Sequence, residues 1–262
     1  MSALRNACIE LARDAGAAIM DVYARDFEVV SKSDASPLTA ADMASHRIIC
    51  AGLAALSPGI PVLSEESAAI DWATRRGWSR YWLVDPLDGT REFVKKNGEF
   101  TVNIALIDGD APVLGVVHAP ALDYMAHAER GVGAFLRDGT GDIALTTRRP
   151  APTPMRVAAS RSHLDPRTAA ALEKMGATER IGMGSSLKFC RIAEGRIDVY
   201  PRFGPTSEWD TAAAQCVLEA AGGAVLTLDG TALRYNTKDS LLNPDFIALG
   251  DPALNFKAWL DG

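Results

Sequence analysis

The chain predicts an α/β fold in which an α+β first half is followed by an α/β second half. Three patterns carry this. Helical periodicity governs the first 55 residues, apart from one short strand-like run. Short apolar segments separated by Gly and Pro fill residues 100–136. Beyond residue 154, strand and helix signals alternate. A length of 262 residues suits one large domain or two small ones, and 48% hydrophobic residues can bury a substantial core.

Residues 4–24 place Leu4, Cys8, Leu11, Ala15, Ile19 and Val22 on one helical face, with Ser2 or Ala3 near the start. Phe27–Val30 reads as a strand. A second helix opens at Thr39 or Ala40 and runs to about Ala55, where Ser57-Pro58-Gly59 stops it. Ile60–Leu63 is a short strand ending at Ser64-Glu65-Glu66, and Tyr81–Val84 is another ending at Asp85. Both acidic clusters are therefore expected at strand ends, a common place for catalytic groups. Strand-like segments follow at 100–107, 113–118, 124–128 and 134–136, and their Gly and Pro punctuation suggests an antiparallel meander.

Three prolines between residues 150 and 154 cannot continue a helix or a central strand. They mark the boundary between halves 1–150 and 151–262. In the second half, strands are expected at 155–160, 179–182, 197–201 and 224–228, with helices at 166–175, 186–194 and 208–221. The sequence shows no internal repeat or low-complexity tract.

A net charge of −6 argues against general nucleic-acid binding, which needs a basic face. It leaves room for a small anionic substrate, because bound metal ions reverse the local potential. Cys8, Cys50, Cys190 and Cys216 form no Cys-x-x-Cys pair, and the four histidines are dispersed, so no zinc site is expected. Scattered reduced thiols favour the cytoplasm. Arg5, Glu10, Arg13 and Asp14 interrupt any signal-peptide core, and no apolar stretch is long enough to span a bilayer.

The run Asp85-Pro86-Leu87-Asp88-Gly89-Thr90 sets two carboxylates around a proline, directly after a very apolar strand. Glu65-Glu66 precedes it and Trp209-Asp210 follows far downstream. Each piece has an ordinary reading: a turn, an acidic helix start capped by Ser64, and a helix-start Asp beside a packing Trp. Together they form a hard, oxygen-rich set of the kind that binds Mg²⁺, the usual partner of phosphate chemistry. An EF-hand is excluded, because its loop and terminal Glu are missing. Gly182–Lys188 matches neither a dinucleotide fingerprint nor a Walker loop. It remains either a helix cap or an anion site made of helix amides and Lys188. Ser160-Arg161-Ser162-His163 is either a solvated loop or part of the same site.

On the metal motifs, with Asp210-Thr211-Ala212-Ala213, the chain resembles the lithium-sensitive, Mg²⁺-dependent inositol monophosphatase superfamily along nearly its whole length. Gly98–Ala105, Gly184–Cys190 and Tyr200–Thr206 are most similar to its bacterial 3′(2′),5′-bisphosphate nucleotidase branch. Ala214 stands where the family usually has glycine, a packing change on a helix.

The resemblance implies a five-layer αβαβα sandwich with the site between the halves. It implies two or three Mg²⁺ ions on Glu65, Asp85, the Leu87 carbonyl, Asp88 and Asp210. Glu65 and Asp85 would hold the ion that activates water, with Thr90, paired with Asp42, orienting or deprotonating that water. Asp85, Asp88 and Asp210 would hold the ion facing the leaving oxygen, and the Gly89 and Thr90 amides would grip the phosphate. Ser160, His163, Gly184 and Lys188 would bind the rest of the nucleotide, with Lys188 and His163 on a second phosphate. The implied reaction converts adenosine 3′,5′-bisphosphate to AMP and phosphate, with 3′-phosphoadenylyl sulfate as a further substrate, in sulfate assimilation. An inositol monophosphatase, a fructose 1,6-bisphosphatase and a silent Mg²⁺- or nucleotide-binding regulator are the alternatives. A monomer or homodimer without a transmembrane segment is expected, and the resemblance also allows a place on the inner face of the membrane.

Overall fold

The computed structural model describes residues 3–25, 37–159 and 165–260. The strand expected at 27–30 lies outside them. Helices α1 (Ala3–Tyr23) and α2 (Pro37–Leu56) open the chain. α1 buries Cys8, Ile9, Ala12, Ala15 and Ile19, the three-and-four spacing of one helical face.

A seven-stranded sheet follows, with β1 (Val62–Ser64), β2 (Arg80–Asp88), β3 (Thr101–Asp108), β4 (Ala111–Ala119), β5 (Tyr124–Glu129), β6 (Gly133–Asp138) and β7 (Gly141–Ala144) in spatial order. β1 is parallel to β2, and every later pair is antiparallel, so the expected meander is present. β7 was not expected, because its one large apolar residue, Ile143, is 50% exposed at the sheet edge. Two short helices, α3 (Trp72–Arg75) and α4 (Thr90–Val94), flank β2 and also escaped the periodicity reading.

The second half builds a five-stranded sheet from β8 (Met155–Ala159), β9 (Thr178–Gly182), β10 (Val199–Arg202), β11 (Ala224–Thr227) and β12 (Phe246–Leu249). Helices α5 (Pro166–Met175), α6 (Leu187–Ala193) and α7 (Ala212–Ala220) connect its strands. The strand order is β11-β12-β10-β8-β9. β9, β8 and β10 are parallel, as strand–helix alternation requires. β12 was not expected, and it runs antiparallel to both neighbours, so the sheet is mixed. All four of its residues are buried, which removes the alternation that identifies a half-exposed strand.

Side-chain alternation sorts these elements into layers. Trp82, Val84, Val102, Ile104, Leu114 and Val116 pack with α1 and α2. Their strand neighbours Tyr81, Leu83, Ala105, Ile107 and Val117 join α6, α7 and Ala158, Tyr200 and Ala248 of the second sheet. The opposite face of that sheet, with Val157, Val199, Ile247 and Leu249, packs on Ala171 and Met175 of α5. The order is helix, sheet, helix, sheet, helix, the expected five-layer sandwich. Both halves contribute to the central core, so the proline-rich segment marks a change of sheet rather than a break in packing. Among the described residues, no helix is long and apolar enough to cross a membrane.

Candidate active site

The carboxylates are assembled by three irregularities. The first is in β2, which does not stop at Asp85 as the sequence suggested but continues through Asp88. Asp85 pairs with Asn103 and Asp88 with Thr101, so two residues of β2, Pro86 and Leu87, oppose the single residue Val102. A bulge tolerates proline because the ladder is interrupted there. The Leu87 amide donates to Asp85 Oδ1 at 3.0 Å, and Ser45 Oγ donates to the Pro86 carbonyl at 2.8 Å. Gly89 then turns the chain into α4 with φ 94°, where a side chain is disfavoured.

The second is the end of β1. Ser64 lies opposite Val84 in the parallel register, so Glu65 emerges beside Asp85. Glu65 begins a short 3₁₀ turn, Glu65–Ser67, that Ser64 does not cap. The Ser64 hydroxyl instead lies 2.9 Å from His46 Nδ1. The third is a break in the helix expected at 208–221. A 3₁₀ turn, Glu208–Asp210, precedes α7 and is closed by a capping box in which the Ser207 amide donates to Asp210 Oδ2 at 2.9 Å. This turn brings Asp210 to the first sheet's carboxylates.

Oxygens of Asp85, Asp88 and Asp210 lie within 4.8 Å of one another. Burial raises the Asp85 carboxyl well above the usual range, and Asp88, Glu65, Asp210 and Asp42 raise it further. Burial and then Asp88 push Asp210 up to about 7. Glu65 is exposed as a residue, but its carboxyl is desolvated and raised, next by Glu66, with a hydrogen bond to Asp85 opposing the shift. Asp42 on α2 is pushed up to about 8 by burial, then by Glu66 and Glu65. Crowded hard oxygens whose ionisation is mutually opposed fit a divalent cation such as Mg²⁺.

From this cluster a cleft of about 360 Å³ runs between the halves. Asp88, Gly89 and Asp210 line it, together with Gly184, Lys188, Tyr200, Arg202 and Phe203. Lys188 Nζ donates to the Ser185 carbonyl at 2.9 Å and lies 5.1 Å from the Tyr200 ring centroid. Arg202 is held by Thr206 Oγ1 at 2.6 Å and the Pro205 carbonyl at 2.7 Å. A Cβ at Gly184 would stand 2.5 Å from Glu92 Cγ and 3.0 Å from the Glu99 carbonyl, so any side chain there requires Glu92 to move; the Gly184 amide donates to Glu99 at 2.8 Å. Thr90 is exposed at the first position of α4, and among the described residues no hydrogen bond joins it to Asp42. Ser160 and His163 lie outside the described residues; Ala159 and Asp165, which bracket their segment, line the cleft.

The sequence reasoning missed Ser186, Asn103 and Arg202. Ser186 heads α6 without capping it, and its hydroxyl turns to Asp88 at 2.7 Å. Arg202 lies in the Tyr200–Thr206 segment that the motif comparison had singled out without giving any residue a role. Ser186 and Asn103 likewise lie in the singled-out segments Gly184–Cys190 and Gly98–Ala105, but their roles depend on partners about 80 or more residues away, which no local pattern shows.

Comparisons with known proteins identify the family. Residues 1–253 match the inositol monophosphatase family. The 3′(2′),5′-bisphosphate nucleotidase CysQ of Shigella flexneri is 51% identical over 239 residues, 90% of this chain and 96% of that protein. CysQ of Escherichia coli K12 is 50% identical over the same shares. The crystal structure of CysQ from Bacteroides thetaiotaomicron superposes with a TM-score of 0.85 at 41% identity, covering 94% of this chain and 96% of that one. A match of this extent, on a five-layer sandwich with its carboxylates at the junction of the halves, places the chain in the inositol monophosphatase family of metal-dependent phosphatases.

Proposed function

We propose that the chain is a 3′(2′),5′-bisphosphate nucleotidase that converts adenosine 3′,5′-bisphosphate to AMP and phosphate and also accepts 3′-phosphoadenylyl sulfate. The carrying observation is the continuity of the cleft, which joins the carboxylate cluster to a wall bearing Lys188, Tyr200 and Arg202. A substrate with one phosphate at the carboxylates would present its second anionic group to that wall, together with an aromatic surface.

Glu65, Asp85, the Leu87 carbonyl, Asp88 and Asp210 would hold two or three Mg²⁺ ions. Bound there, these would supply an activated water and offset charge on the leaving oxygen. Asp42, a buried carboxyl on α2, would help deprotonate that water, with Thr90 orienting it. The amides of Gly89 and Thr90 would take phosphate oxygens at the head of α4. Ser160, His163, Gly184 and Lys188 would bind the remainder of the nucleotide.

Lys188 separates this reading from an inositol monophosphatase, whose substrate offers only hydroxyls at that end. A charged hydrogen bond contributes about 1.5–3 kcal/mol, or ~10–100-fold in kcat/KM. Lys188→Ala should lower kcat/KM for adenosine 3′,5′-bisphosphate by that factor and leave inositol 1-phosphate within about threefold. Equal losses on both substrates would contradict the nucleotide assignment.

A further inference from the structure

Ser186 occupies the N-cap position of α6, where a serine hydroxyl ordinarily accepts from the first-turn amides. Here it makes no such bond. The side chain is 1% exposed and its hydrogen bonds lead away from its own helix. Ser186 Oγ donates to Asp88 Oδ2 at 2.7 Å, and the Ser186 amide donates to the same oxygen at 2.6 Å. Asn103 Nδ2 donates to Ser186 Oγ at 2.6 Å. The Asp210 carbonyl lies 3.2 Å from Oγ, and Thr101 Oγ1 lies 3.4 Å away.

The hydroxyl can donate to Asp88 Oδ2 at 2.7 Å or to the Asp210 carbonyl at 3.2 Å, and the shorter contact favours Asp88. Asn103 fills an acceptor site on Oγ, and the nearest acceptor is the Asp88 carboxylate. Two donors on Oδ2 hold the carboxylate in one orientation and leave Oδ1 for a cation. The same hydroxyl lies beside the backbone of Asp210 in its own half of the molecule, while Asp88 belongs to the other half. Asn103 and Thr101 are the ladder partners of Asp85 and Asp88 on β3, across the bulge that removes regular pairing between them. Backbone register alone therefore does not set the Asp88 side chain.

We infer that Ser186 is a positioning residue that presents Asp88 and Asp210 together to a divalent cation, with Asn103 directing its proton. This rests on the assignment of Asp88 and Asp210 as cation ligands. Partners that orient metal ligands typically change affinity 10–100-fold when removed.

The test is Mn²⁺ binding to the full chain, followed by electron paramagnetic resonance well below the melting temperature, without substrate. Ser186→Ala should weaken Mn²⁺ binding by ~10–100-fold, and Ser186→Thr, which keeps the hydroxyl, should recover most of it. A merely structural serine would lower the melting temperature and leave the Mn²⁺ affinity unmoved, and that result would overturn the inference. Should Ser186→Ala fail to fold, Asn103→Leu carries the same comparison: weakened Mn²⁺ binding supports the inference and wild-type affinity overturns it. Asp88→Asn, measured in parallel, separates the two levels. Wild-type affinity in Asp88→Asn would remove the ligand assignment itself. Loss there with wild-type affinity in Ser186→Ala would remove only the role of Ser186.

Discussion

At the scale of single residues, the fold opposes ionisation of the carboxylates it gathers. Asp42 and Asp210 are raised to about 8 and about 7, both through burial first and neighbouring carboxylates second. A carboxyl whose folded value exceeds its unfolded value keeps its proton longer in the native state. The native state then binds more protons than the unfolded chain between about pH 4 and pH 8, so stability falls as pH rises across that window. In EDTA the melting temperature should fall from pH 5 to pH 8, and saturating Mg²⁺ should reduce that fall. A metal-free melting temperature that rises over the window would contradict the electrostatic account. Asp210→Asn should lose activity by ~100-fold or more while melting higher than wild type in EDTA at pH 8, because one mutually repelling charge is gone. Glu65, Asp85 and Asp88 were legible because they follow apolar strands, and Asp210 because it follows turn residues, whereas Asp42, inside α2, came only through the resemblance. The segments of Ser186 and Asn103 were singled out, but their roles were not legible, because a buried hydrogen bond between distant segments leaves no periodicity to read.

At the scale of elements, the site depends on departures from regularity. Proline gave no warning that β2 would continue past it, since a proline in a strand usually reads as its end; the bulge resolves the conflict by removing the ladder bond that proline cannot make. The long helix expected at 208–221 is interrupted because Ser207 and Asp210 satisfy each other's backbone donors first. α7 then packs unusually close to β4. A Cβ on Gly115 would stand 2.3 Å from the Ala213 carbonyl, nearer than any side chain tolerates, so Gly115 sets the distance between this helix and the first sheet. Gly115→Ala should destabilise the protein by about 1–3 kcal/mol in urea denaturation and lower activity as α7 shifts beside Asp210. Unchanged stability would show that the helix can move without cost. The helices and the meander were legible from their periods, whereas β7 is too polar and β12 too uniformly buried to show one.

At the scale of the whole molecule, two halves must be registered to within an ångström or so for carboxylates from both to meet. One fastening is Arg75 of α3, 2% exposed, which donates to Asn236 Oδ1 at 2.8 Å and to the backbone of Lys238 and Asp239. The Asn236 amide in turn donates to Glu208 Oε2 at 2.9 Å, at the start of the turn that carries Asp210. The segment after Glu65 is thereby tied to the segment before Asp210. Sequence periodicity could assign helices and strands to each half but not this long-range register, because the contacts join loops more than 100 residues apart. The layer order became readable only through resemblance to a known family. The most direct test of the central claim is phosphate release by the wild-type chain with Mg²⁺, comparing adenosine 3′,5′-bisphosphate with inositol 1-phosphate, each with and without Li⁺. The account predicts strong preference for the nucleotide and its suppression by Li⁺. Preference for inositol 1-phosphate would contradict the assignment of the Lys188 wall, and release from neither substrate would contradict the phosphatase reading of the carboxylate cluster.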